Sequence, residues 1–256
     1  MFLKVWALAN NTFKEGIRRR ILYVFLIASV AIILSSHFFN FLAPSEELKI
    51  TLDMGLASIL FFGALIAIFS CGELIPREIE RQTIATILSK PVKRSEFLLG
   101  KFLGGVLLVF LNFLLMSVVF LFLVYFKEKF ISLNLIKALI LTFWELVVLS
   151  SIAICLSTLS STPAFNVTVT FSIYVVGHLT DYLIHIARQT ENLFVSLFIL
   201  IIYTILPNFN NFNLRDKVME GFFIPNLEVV KVSLYGLVYA VIMLGLSHFF
   251  FKDKEF

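Results

Sequence analysis

Long stretches without a charged side chain decide what this chain can become. From Ile21 to Leu42 there are 22 residues with no Asp, Glu, Lys or Arg. As a helix that run reaches ~33 Å, enough to cross the ~30 Å hydrocarbon core of a bilayer. Comparable apolar runs occupy Gly55–Gly72, Phe102–Phe126, Leu135–Leu156, Ala164–Ile186 and Val232–Phe251. Each must be helical, because an open strand in lipid leaves backbone groups unpaired. The run Phe102–Phe126 is long enough to require tilt or to project from the membrane. Composition excludes a soluble domain: 59% of residues are hydrophobic and 15% charged, with a mean hydropathy of +0.96. A soluble protein carries about 25% charged residues. The expectation is an all-α membrane protein with six transmembrane helices, in which residues 1–256 form a single domain.

Leu193–Leu206 is strongly apolar but ends after 14 residues at Pro207. That is short of the roughly 18 residues expected of a span. A re-entrant helix before the last span, inside an outer loop over 187–231, is the first reading, and a seventh span is the alternative. Lys and Arg set the orientation. With the N-terminus inside and six spans, 13 of these residues lie inside and eight outside; seven spans give 14 and seven. Either way the N-terminus and the 73–101 loop are expected in the cytoplasm.

Residues 1–20 read as a cytoplasmic interfacial helix anchored by Trp6 and ending in the Arg18-Arg19-Arg20 cluster. The run after that cluster is too long for the core of a signal peptide and lacks a small-x-small cleavage site. The first span is therefore expected to remain as an anchor. The small net charge of +4 sits at segment ends, which is a topology signal rather than a nucleic-acid footprint. Cys71 and Cys155 fall within apolar runs without metal-ligand spacing, so neither a disulfide framework nor a zinc site is expected.

The stretch from Glu73 to Lys101 is the longest informative polar segment. Pro76 suits the first turn of a helix, and Glu78 favours its positive end. Pro91 breaks the run, and Ser95 is a candidate N-cap for the helix entering the third span. Ile84, Ile87 and Leu88 form an aliphatic patch at i, i+3 and i+4. Arg77, Glu80 and Arg81 lie on the same side. A mixed face of this kind fits a protein groove better than a lipid surface, while a basic loop that only fixes topology remains open.

The run E-x4-E-x2-R-x-T-x4-L-S-x-P-x2-R-x-E-x3-G-K across Glu73–Lys101 resembles the signature of type-2 ABC exporter permeases. Asn11–Arg18 before the first span, and Leu206-Pro207-Asn208-Phe209 with Phe212-Asn213 before the last, are also similar to that family. The resemblance implies a membrane subunit that pairs with a second permease copy, identical or related, and with a separate cytoplasmic ABC ATPase in a prokaryotic plasma (inner) membrane. It further implies that the helix between spans two and three couples to the ATPase. The residues carried over are Glu73, Arg77, Glu78, Arg81, Thr83, Ile84, Ile87, Leu88, Ser89, Pro91 and Arg94. ATP and Mg would be bound by the partner, and no cofactor is expected on this chain. Gly100-Lys101 lacks the first glycine and the Ser/Thr of a phosphate loop. Arg94 and Lys101, near the inner headgroups, suit membrane lipid phosphates as well as an ATPase. Glu78 and Arg81 are spaced to pair. Glu73 either braces the segment or faces water.

Inside the spans, Glu145 is the costly residue, read as a transport-path carboxylate or a structural hydrogen-bonded one. His178, Asp181 and His185 share a helical face at i, i+3 and i+7. The spacing has the form of a metal site, but it lies in the outer half of the fifth span, where a polar face is cheap. No metal is assigned, and the three join Glu145 as transport-path candidates. Two other functions stay open. An intramembrane enzyme would need a nucleophile or metal motif that is not seen, and a proton-coupled secondary transporter working through Glu145 would favour an inverted repeat that is not seen either.

Overall fold

The computed structural model describes residues 2–39, 47–80, 82, 93–160, 162–189 and 192–252. Among these, all regular structure is helical. Helix α1 spans Phe2–Ile17, α2 Arg20–Phe39, α3 Glu47–Gly72, α4 Leu74–Glu80, α5 Arg94–Glu128 and α6 Leu133–Leu159. After these come α7 (Pro163–His178), α8 (Thr180–Gln189), α9 (Leu193–Ile205), a 3₁₀ turn at Phe209–Phe212, α10 (Arg215–Met219) and α11 (Asn226–Lys252). Four helical stretches are long and apolar enough to cross a membrane unaided: Glu47–Glu80, α5, α6 and α11. Two bent pairs pass the same test, α7 with α8 at 61° and α9 with the following 209–219 stretch at 45°. Helix α2 supplies 19 residues of the first predicted span; positions 40–42 of that prediction lie outside the described residues.

The core lies along α3 and α6. Within its most apolar window α6 is 78% buried, against 11% for α11, so α6 runs through the middle and α11 along the edge. Several hydroxyls inside the spans donate to their own helix: Thr142 to Ala138 O (2.9 Å), Ser150 to Leu146 O (2.7 Å) and Ser58 to Met54 O (2.6 Å). Those side chains thereby enter lipid depth with their donors satisfied. Close helix contacts use small residues. At Gly104 of α5 an added Cβ would stand 2.6 Å from both Ala9 O and the Thr12 Cβ of α1. The buried stripe Val5, Ala9, Thr12 and Gly16 therefore seats α1 on α5, leaving Phe2, Leu3 and Trp6 exposed.

Two boundaries differ from the sequence reading. Helix α5 starts at Arg94, capped by Lys93, whose backbone N–H donates to Glu96 Oε2 at 3.0 Å. Ser95 thus sits in the first turn rather than at the cap, because Glu96 reaches back to the donor a cap would otherwise serve. The early turns of α5 reach as far as the last turn of α11, where Phe97 stacks on Phe251 at 5.7 Å. The fifth segment also does not continue straight to Ile186. Phe209 packs on Gly177, where a Cβ would lie 2.5 Å from the ring, and Thr180 Oγ1 takes the Gly177 carbonyl at 2.9 Å. Those contacts end α7 at His178 and turn the chain into α8.

The turn explains the 187–231 region. Helices α8 and α9 leave at Asp181 and return at Asn208, whose side-chain N–H donates to Asp181 at 3.0 Å. Asn210 donates to the other Asp181 oxygen at 2.9 Å and to His178 O at 3.0 Å. The excursion is thus a helical hairpin whose two ends meet at Asp181. Residues 209–224 then cover this end: Arg215 pairs with Asp53 at 2.8 Å, and Lys137 donates to Ile224 O at 2.6 Å.

Candidate functional site

At the other end, α3 passes into α4 through Glu73, and Arg77 N donates back to Glu73 O at 3.2 Å. Pro76 lies in the first turn of α4, where its missing N–H costs nothing. The Glu73 carboxylate takes the Arg77 guanidinium four residues on and Arg19 Nη1 at 3.3 Å. Its side chain is 13% exposed, so Glu73 braces the segment rather than facing water. One carboxylate thus ties the α1–α2 turn to the α3–α4 elbow. Burial lowers the pKa of Arg19, and the neighbouring Arg77 lowers it further.

The elbow is fixed to α5 as well. Lys101 Nζ pairs with Glu78 of α4, lies 5.8 Å from the Phe97 ring and is 2% exposed. The expectation that Lys101 reaches the lipid headgroups is therefore corrected, because Glu78 holds its ammonium inside the protein. Arg94 is also drawn away from the headgroups. Its Nη1 donates to Phe251 O at 2.9 Å and also contacts Lys252 O, placing a cation on the negative C-terminal end of α11. The Lys93 N–H holds the Glu96 carboxyl below its ordinary pKa. Arg81, Thr83, Ile84, Ile87, Leu88, Ser89 and Pro91 lie outside the described residues, and so does the expected Glu78–Arg81 pairing. Of the candidate coupling residues, Glu73, Arg77, Glu78 and Arg94 are described. They form the tethered base from which that stretch departs.

The intramembrane candidates separate into different settings. Glu145, 1% exposed on α6, lies 3.2 Å from His178 Nε2 on α7. The rings of Tyr174 and Phe209 flank that imidazole at 4.6 and 5.4 Å. His178 Nδ1 lies 3.1 Å from Tyr174 O, which can only accept, so Nδ1 donates. Nε2 is then the ring atom turned to Glu145 Oε1. Thr142, Glu145, Asn213 and Arg215 help line a cavity of about 20 Å³ beside the pair, room for about one water. The shared i, i+3, i+7 face of the sequence reading is broken by the bend after His178. Asp181 serves Asn208 and Asn210, and His185 Nε2 meets Gln189 at 3.0 Å. Among the described residues no three His, Cys, Asp or Glu are grouped to hold a metal.

Sequence reasoning singled out Glu145 and His178 but left them unpaired, since they stand on different helices. It read Arg19 as part of a topology cluster, and it quoted Asn208 without a role; only the tertiary contacts assign them. No curated protein matches the sequence. The family model for ABC-2 family transporter proteins matches residues 6–256, close to the full length. That match covers the elbow, the buried pair and the hairpin alike, and the chain belongs to the ABC-2 transporter family.

Proposed function

We propose that this chain is an exporter permease whose 73–101 segment transmits ATP-driven motion to the spans. Family membership makes it the multi-pass permease subunit of an ABC transporter, working with a separate ABC ATPase. The finer reading adds that the N-terminus and the elbow lie in the cytoplasm, that the cell is a prokaryote and the membrane its inner one, that two permease copies assemble with two ATPases, and that transport runs outward.

The tethering of α4 is the observation that carries this reading. A segment that transmits force must not swivel at its root. Here Glu73 joins Arg19 and Arg77, and Glu78 joins Lys101, so a push on the 81–92 stretch would move α1, α3 and α5 together. The concentration of Lys and Arg at this end, 13 against eight for six spans, supports the cytoplasmic placement. The Glu145–His178 pair and its small cavity are the transport-path candidates, because an ionisable pair inside a bundle marks a polar route more often than a packing need. Asp181 and His185 belong to the hairpin above that route.

The test is assembly. Expressed with the ATPase subunit encoded beside it, the full chain is expected to co-purify with that ATPase in equal numbers and to alter its ATP turnover. Transport by the purified chain alone, without any ATPase, would replace this reading with a secondary transporter.

A further inference from the structure

The cationic cleft beside the elbow is larger than its internal ion pairs require. It is an open space of about 530 Å³ lined by Asn11, Lys14, Glu15, Arg18, Arg19 and Arg77. Four cations meet two carboxylates there, and Glu73, just behind the lining, is already divided between Arg19 and Arg77. Lys14 and Arg18 are exposed at the rim. The Arg19 side chain is only 10% exposed, and its buried Nε has no hydrogen-bond partner among the described residues. The lining thus carries a surplus of positive charge.

We propose that this cleft binds the phosphate of an anionic phospholipid in the leaflet that α2 enters, with the Arg19 and Arg77 guanidinium groups at its inner wall and Lys14 and Arg18 at the rim. Phosphate suits this donor set, because a guanidinium fork matches two phosphate oxygens. The adjoining start of α2 contributes the positive end of its helix dipole. The placement favours a lipid over a soluble phosphate. Arg19 immediately precedes the first residue of α2, and within two turns Tyr23, Val24 and Ile27 are 49%, 60% and 64% exposed, an apolar surface for acyl chains. The polar flank of α1 that carries Asn11, Lys14 and Glu15, with Arg18 just past its end, lines this cleft. The adjacent flank, with Trp6, Asn10 and Phe13, lines an apolar groove against Leu107, Phe110 and Leu111. Helix α1 is thus amphipathic in the manner of an interfacial helix. Because Arg19 and Arg77 share Glu73, a bound phosphate would draw on the same cations that hold α4, and lipid composition would tune the elbow.

The experiment titrates the full-length permease in detergent with phosphatidylglycerol and, separately, phosphatidylcholine, reading bound lipid by native mass spectrometry. Phosphatidylglycerol is expected to bind more tightly. The double variant Lys14→Gln/Arg18→Gln, at exposed positions, should bind it about thirtyfold more weakly, given the attraction of each basic residue for an anionic headgroup. Arg19→Lys keeps the charge but removes the planar guanidinium fork, and should also weaken binding. Millimolar inorganic phosphate should not displace the lipid. Equal affinity for the two lipids, or unchanged phosphatidylglycerol binding in both variants, would overturn the proposal. Full displacement by inorganic phosphate would reassign the cleft to a soluble anion. Loss of ATPase association in the double variant with lipid binding intact would reassign it to an acidic protein surface.

Discussion

Lys101 and Glu78 stand 23 positions apart and form an ion pair in which the lysine side chain is 2% exposed. The pair fastens α4 to α5 at the point where the chain enters the third predicted span. Removing one partner from a buried pair costs about 3–5 kcal/mol, whereas replacing both with apolar residues is often neutral. Lys101→Met should therefore lower the melting temperature of the purified permease sharply. Adding Glu78→Met should restore most of it. A double variant as unstable as the single one would show that the pair is not what joins the two helices.

The seating of α1 depends on backbone proximity. An added Cβ at Gly104 would lie 2.6 Å from Ala9 O, an atom that moves only with the helix. Gly104→Ala should cost about 1–3 kcal/mol as overpacking. It should also speed tryptic cleavage at the exposed Lys14 and Arg18. Cleavage at the wild-type rate would mean that α1 does not need its stripe on α5.

The hairpin reading is a statement about sides. Phe223 is 80% exposed on the stretch that follows the hairpin, and both native cysteines are buried. With the N-terminus in the cytoplasm, Phe223→Cys should react with an impermeant maleimide added to intact cells. Reaction only after the membrane is opened would place 208–224 inside and make α9 part of a seventh span.

The spans were legible because their signal is one-dimensional: apolar length alone places α3, α5, α6 and α11 within a few residues at most ends. The break at His178 was not legible, since it depends on Phe209 reaching Gly177 from 32 positions further on. The same limit governs the candidate sites. Glu73, Arg77 and Glu78 were visible as charges at a span end, but Arg19 as the shared partner, and Lys101 as a buried rather than lipid-facing cation, depend on how α1 and α5 pack around the elbow. Glu145 stood out as an expensive residue in lipid and His178 as part of a polar helical face, yet only the packing of α6 on α7 makes them one unit.

Glu96 supplies a pH test of the α5 start. Its carboxyl is held below the ordinary value by the Lys93 N–H, so the folded group binds its proton less readily than the unfolded one. A depressed folded pKa gives stability that is present above the unfolded value, about 4.3, and lost as pH falls through the folded value. Glu96→Ala should melt below wild type from pH 7 to pH 5, and the difference should shrink as the pH falls below about 4. A difference that grows on acidification would contradict the capping role.

The central claim is that the 73–101 segment is where the ATPase docks, with Ile84, Ile87 and Leu88 as the contact and the Glu73 and Glu78 pairs as the root. The most direct measurement is retention of the neighbouring ATPase by the affinity-purified full-length permease carrying Ile84→Asp, Ile87→Asp and Leu88→Asp. The account predicts that this variant inserts in the membrane at wild-type levels and loses the ATPase. Wild-type retention of the ATPase by the triple variant would contradict it.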